Sequence, residues 1–129
     1  MVDLTVDKIV EIQIRIIEES KQNEDRGMAG LIRDYGTLDF LVDRVNSIDD
    51  SYQKAAQLLY SIATHHPFYQ GNKRTALILA ELILILEVGS YITADEEAID
   101  LFVREVATYL HRPEDVEGWI RRNCQKNDN

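Results

Sequence analysis

Between residues 76 and 88 every position except Glu81 and Glu87 is apolar, a density suited to a helix buried on nearly all sides. Thirteen residues cannot cross a bilayer, which needs roughly 20, so the pattern predicts a central buried helix. Elsewhere apolar positions recur at helical spacing. Val6, Ile9, Val10, Ile14 and Ile17 form one stripe; Ile12, Ile14 and Ile16 also alternate as in a strand, and length decides for the helix. Ala55, Leu58, Leu59 and Ile62 form another, with Asp49 or Asp50 as its cap. Thr93 and Glu96 have the spacing of a capping box ahead of Ile99, Phe102, Val103, Val106 and Leu110. Pro113 suits the first position of a last helix with Val116 and Trp119 on its apolar face. The polar run 23–30 predicts a loop able to move, and 125–129 a frayed tail after one domain spanning 1–124.

Composition narrows the function classes. A chain of 129 residues with 45% hydrophobic content can bury one core without a covalent staple. The net charge of −9 argues against a nucleic-acid surface and against anionic membranes. Cys124 is the lone cysteine, so no internal disulfide forms, a reducing cytoplasm is the expected compartment, and the thiol reads as incidental. The start Met1, Val2, Asp3, Leu4 lacks the basic and apolar runs of a signal peptide.

Against this acidic background two cations stand together at a helix start. Residues 66–74 read His66, Pro67, Phe68, Tyr69, Gln70, Gly71, Asn72, Lys73, Arg74. Histidine accepts a proton near neutral pH, so His66 can serve as base for a hydroxyl attacking a phosphoryl group. Gly71 permits a tight turn, and 72–75 then form a first helical turn whose free N–H groups and dipole attract anions. Lys73 and Arg74 oppose that dipole unless an anion binds there. The plain alternative is a capped helix with two solvated cations and a core histidine; the joint occurrence of these residue types favours a nucleotide phosphate site. His65 reads as a neighbour of the site. A helix C-terminus favours protonated imidazole, so the base role of His66 needs local compensation.

The stretch 66–74 resembles the signature of Fic/Doc proteins, H-P-F-x-[D/E]-G-N-[G/K]-R, and Lys73 is similar to the Doc, or death-on-curing, branch. Upstream, Gly30, Leu31, Ile32, Arg33, Asp34, Tyr35, Gly36, Thr37 and Leu38 resemble the Doc-like segment G-x-x-R-D-x-G-x-L. The resemblance covers about 4–119 and implies a compact all-α domain of about six helices around a central apolar one. It further implies His66 as general base, Phe68 beside Pro67 as a buried anchor, Asn72 and Gly71 at the nucleotide phosphates, and Arg74 as the clamp on the terminal phosphates. Lys73 in place of glycine implies γ-phosphoryl transfer from ATP to a Ser, Thr or Tyr hydroxyl of a protein, with a translation elongation factor as the archetypal target. Transfer of AMP from the same residues is the alternative.

One position departs from the signature. Where the family places Asp or Glu to hold Mg²⁺, this chain has Gln70, whose neutral carbonyl oxygen weakens metal affinity and charge neutralisation. The sequence names no substitute carboxylate, so a catalytically weakened binding module stays open as a third outcome. The inhibitory pattern [S/T]-x-x-x-E-[G/N] of some Fic proteins is approached by Ser20 and Glu24 but ends in Asp25, so restraint is expected in trans, from an antitoxin segment that folds on binding. Around Arg33, Asp34 and Gly36 a helix-start turn with a local ion pair competes with a flap edge that docks an extended target segment; Tyr35 and Tyr69 would then line the target path.

Overall fold

Ile9, Gln13 and Ile17, four residues apart and all buried, turn one edge of helix α1 (Val6–Glu19) towards the core, so the 3.6 period prevails over the strand-like alternation. The computed structural model describes residues 2–127. After α1 and a short 3-10 turn (Asn23–Asp25) come α2 (Tyr35–Asn46), α3 (Ser51–His65), α4 (Asn72–Val88), strand β1 (Ser90–Ile92), α5 (Glu96–Ala107), α6 (Pro113–Arg122) and strand β2 (Cys124–Lys126). The fold class is all-α, with six α-helices among the described residues.

The core is built on α3 and α4. Asp50 caps α3 by accepting from the Gln53 N–H at 2.9 Å, and behind that cap Ala55, Ala56, Leu58, Leu59, Ile62 and Ala63 are buried. Ala55 and Ala56, and Ala63 two turns on, let neighbours approach closely, and α3 touches α2, α4, α5 and α6. Helix α4 buries Ala76, Leu79, Ala80, Ile83 and Leu84 against α1, α3 and α5. It lies in the core as its composition predicts, but it is not surrounded: Ile78, Ile85 and Leu86 are 38%, 50% and 62% exposed. The expectation of neighbours on every side fails because none of the described residues covers that edge. No helix among the described residues is long and apolar enough to cross a membrane.

The glutamate that interrupts the end of α4 has a partner the sequence did not announce. Glu87 is buried against Lys54 of α3, with Oε2 2.7 Å from the Lys54 ammonium. It also accepts from the Ser51 hydroxyl at 2.8 Å and from the Val2 N–H at 2.9 Å. Burial would raise the Glu87 carboxyl, yet these bonds, led by Lys54, outweigh it and hold the group below its ordinary value.

Three expectations at the C-terminal end change. The cap of α5 is Asp95, which accepts from the Ala98 N–H at 2.8 Å, and not Thr93, whose N–H and hydroxyl both bond the Asn123 carbonyl at 2.7 Å and 3.0 Å. Leu110 lies beyond the end of α5 and is exposed. Gln125 and Lys126, expected to fray, pair antiparallel with Tyr91 and Ser90, since the ladder satisfies their backbone groups; Asp128 and Asn129 lie outside the described residues. Trp119 does face the core side of α6, stacked on Phe102 at 4.2 Å between ring centroids.

Candidate functional site

The six residues between α3 and α4 are held by bonds from three other segments. His66 ends α3 in the left-handed region, at φ 50° and ψ 62°. Its Nδ1 lies 2.9 Å from the Thr64 carbonyl oxygen; a carbonyl only accepts, so Nδ1 carries the proton and Nε2 of the neutral ring presents its lone pair. That bond fixes the tautomer and the direction in which Nε2 points. The ring is exposed and borders a cavity of about 860 Å³.

Phe68 is buried, as expected of an anchor. Asn72 closes the loop around it: its Oδ1 accepts from the Phe68 N–H at 2.9 Å, and its Nδ2 donates to the Phe68 carbonyl at 2.8 Å. The Asn72 side chain, expected at phosphate, is therefore committed to the loop, and its backbone N–H is what remains for a ligand. Pro67 is buried, and its carbonyl accepts from the N–H groups of Arg33 and Asp34 at 2.7 Å and 3.0 Å. Gly71 has φ +81°, and a Cβ there would lie 3.2 Å from Cδ1 of Ile17; glycine is needed for conformation and for space.

The upstream motif is the outer brace of this loop. Arg33 donates from Nε to the His66 carbonyl and from Nη2 to the His65 carbonyl, both at 2.6 Å. The local Arg33–Asp34 ion pair expected from sequence is not what holds the turn. Asp34 instead caps α2, accepting from the hydroxyl and N–H of Thr37 at 2.9 Å and 3.1 Å, bonds that lower its carboxyl. Ile32 forms an isolated antiparallel bridge with Phe68, so one side of the flap-like segment is filled by the chain's own loop.

Gln13 was missed by sequence reasoning. Wholly buried, it accepts from the Gly30 N–H at 2.7 Å and donates to the carbonyls of Met28 at 3.2 Å and Gln70 at 3.1 Å. It ties α1, the 23–30 segment and the motif loop together. Its signal was legible: a polar residue midway between Ile9 and Ile17 in the buried register.

Beyond Gly71 the N-terminus of α4 opens on the cavity. Gly71 offers no side-chain cap, and the N–H groups of Asn72, Lys73 and Arg74 precede the first helical acceptor, Gly71 O, which takes Thr75 N–H at 2.9 Å. Lys73 is exposed and makes no ion pair among the described residues. Arg74, 37% exposed, forms a two-point pair with Asp25: Nη1 to Oδ2 at 3.0 Å and Nη2 to Oδ1 at 3.1 Å. The cavity thus brings together His66, Tyr69, Gln70, Gly71, Lys73 and Arg74, with Leu77 and Glu81 further along α4 and Glu96, Ile99, Asp100 and Val103 across from them on α5. His65 faces elsewhere: it lines a separate depression of about 600 Å³ with Phe40 and Tyr60, its Nδ1 at 3.0 Å from the Ser61 carbonyl. Tyr69 is exposed at the cavity rim, whereas Tyr35, also exposed, lines neither hollow.

The chain's own side chains do not fit a metal cage at this point. Gln70 presents a neutral amide, and among the described residues no group of three His, Cys, Asp or Glu side chains stands close enough to hold an ion. Cys124 is half-buried, and burial, followed by the charge of Glu81, raises its thiol, which suits an inert residue.

The same residues carry the comparisons with known proteins. The sequence is 40% identical to the protein "Toxin Doc" of Mycolicibacterium smegmatis over 87 residues, which cover 60% of this chain and 65% of that protein. The chain thus spans a little under two thirds of the length of the curated relative it matches. A family model described as "Fic/DOC family" matches residues 3–84, from the start of α1 through the braced loop and most of α4. The chain belongs to the Fic/Doc family.

Proposed function

We propose that this protein is a Doc-like toxin that transfers the γ-phosphoryl group of ATP to a hydroxyl of a target protein, a translation elongation factor being the first to test. One observation carries the reading: an imidazole with Nε2 free and an open helix N-terminus bearing Lys73 and Arg74 share one cavity. The target oxygen attacks phosphorus, Nε2 of His66 takes its proton, and the bond to the β-phosphate oxygen breaks to release ADP. Phosphate charge falls to the α4 N–H groups, to Lys73 and to the donors of Arg74 that Asp25 leaves free. The volume of about 860 Å³ suits a nucleotide together with an acceptor side chain. Because Gln70 supplies no carboxylate, no step is assigned to a divalent cation. Likeness to a protein named as a toxin supports a toxin role held in check by an antitoxin, and a cytoplasmic place of action follows from that role.

The test is intact-mass analysis of a purified translation elongation factor after incubation with ATP, Mg²⁺ and this protein, beside His66→Ala and Gln70→Asp. Addition of one phosphate that vanishes with His66→Ala bears the proposal out. Addition of AMP would overturn the assignment of Lys73. Reaction only with Gln70→Asp would make the natural chain a binding module.

A further inference from the structure

The segment 23–30 reads in sequence as a loop able to move, yet Asp25 within it is 2% exposed. Its carboxylate is held from two sides. Ser20, at the end of α1, donates its hydroxyl to Oδ2 at 2.5 Å, and the two terminal nitrogens of Arg74 each meet one carboxylate oxygen. A planar fork gripped at both prongs cannot rotate about its last bonds, and a buried carboxylate that lost its cation would be left uncompensated. Arg74 is therefore clamped in place at the cavity wall. It is not consumed by the clamp: of the five N–H donors of a guanidinium, Asp25 engages two, and Arg74 remains 37% exposed and lines the cavity.

We propose that Asp25 is the positioning residue for the anion-binding arginine, with Ser20 fixing Asp25 in turn. A chain of bonds thus runs from the end of α1 to the first turn of α4 and aims the remaining guanidinium donors at the terminal phosphates of a nucleoside triphosphate. This inference rests on the proposed nucleotide reading of the cavity and adds a residue to it. A free arginine at the same place would bind anions by charge alone. The clamped one selects by geometry, and it loses less rotamer freedom when the ligand arrives.

Equilibrium binding of AMP, ADP and ATP to wild type, Asp25→Asn, Ser20→Ala, Arg74→Ala and Asp25→Asn/Arg74→Ala tests it, with a thermal melt confirming that each variant folds. In wild type, affinity should rise from AMP to ATP. In Asp25→Asn the gain from the terminal phosphate should disappear, a loss of about tenfold to a hundredfold for ATP with little change for AMP, and Ser20→Ala should lose a smaller share. Asp25→Asn should cost nothing further once Arg74 is alanine. Equal ATP affinity in wild type and Asp25→Asn would overturn this inference alone. Tighter binding by Asp25→Asn would overturn it too, by making Asp25 a restraint on the arginine. If wild type binds none of the three nucleotides, the reading of the cavity falls and takes this inference with it. Where Asp25→Asn does not fold, Ser20→Ala decides: an ATP-specific loss supports the chain of bonds, and unchanged affinity refutes it.

Discussion

The Nε–H of Arg33 donates to the carbonyl oxygen of His66 at 2.6 Å while its Nη2 reaches the preceding carbonyl, that of His65. Two motifs 33 residues apart are thereby one device: the upstream segment fixes the left-handed residue from which the base is presented. Arg33→Ala should lower stability by about 2 kcal/mol, the scale of lost hydrogen bonds to a charged group. Any phosphoryl transfer should fall by about tenfold or more as the ring loses its aim. Arg33→Lys should restore little, because an ammonium cannot span both carbonyls as a fork does. A melting temperature and a rate unchanged in Arg33→Ala would show that the brace is dispensable.

Gly71 tests the packing of the same loop. With φ +81° and Cδ1 of Ile17 only 3.2 Å from an added Cβ, Gly71→Ala should cost about 1–3 kcal/mol of backbone strain plus contact. Ile17→Val removes the offending methyl, so the double variant Gly71→Ala/Ile17→Val should be less destabilised than the sum of the two singles. Additive losses in chemical denaturation would place the whole effect in the backbone.

Much of this was legible in the chain, for identifiable reasons. Helices α1, α3, α5 and α6 follow from the spacing of Ile9 and Ile17, of Leu58 and Ile62, of Phe102 and Val106, and from Pro113, because a helix buries one stripe and the stripe is written in the sequence. His66, Gln70, Lys73 and Arg74 stand out in the sequence because local order places them together, and all four line one cavity. The partners of those residues were not found. Asp25 meets Arg74 across 49 positions and Gln13 meets Gln70 across 57, pairings that only the tertiary fold creates. Thr93 satisfied a local capping rule and was still drawn to Asn123, since a strand pair outweighed a cap that Asp95 could supply instead.

The Lys54–Glu87 pair should behave as a buried charge network. Lys54→Met leaves the Glu87 carboxylate, whose side chain is 2% exposed, without its cation, and should cost about 3–5 kcal/mol. Lys54→Met/Glu87→Leu should recover most of that loss in equilibrium unfolding. Had the pair been a solvated surface bridge, Lys54→Met alone would shift stability by about 1 kcal/mol or less. The Glu87 carboxyl lies below its ordinary value, so its contribution is present above the unfolded-state pKa and disappears as pH falls through the folded one.

Glu81 should act with the opposite sign. Burial raises its carboxyl above the ordinary 4.5, and no ion pair among the described residues offsets that cost. Between the unfolded and the raised folded pKa the native state binds more protons than the unfolded chain. Stability from this group therefore rises as pH falls through the folded pKa and stops rising below about 4.5. Glu87 and Asp25 pull the other way at lower pH, because both are held below their ordinary values. The wild-type profile should accordingly peak on the acid side of neutrality. Glu81→Gln should be more stable than wild type at pH 7 and should flatten the limb between neutrality and the peak, while the acid limb owed to Glu87 and Asp25 remains. Melting temperatures across that range decide the matter: a neutral-to-acid limb unchanged in Glu81→Gln would mean that the ionised carboxylate is already well solvated at the cavity wall.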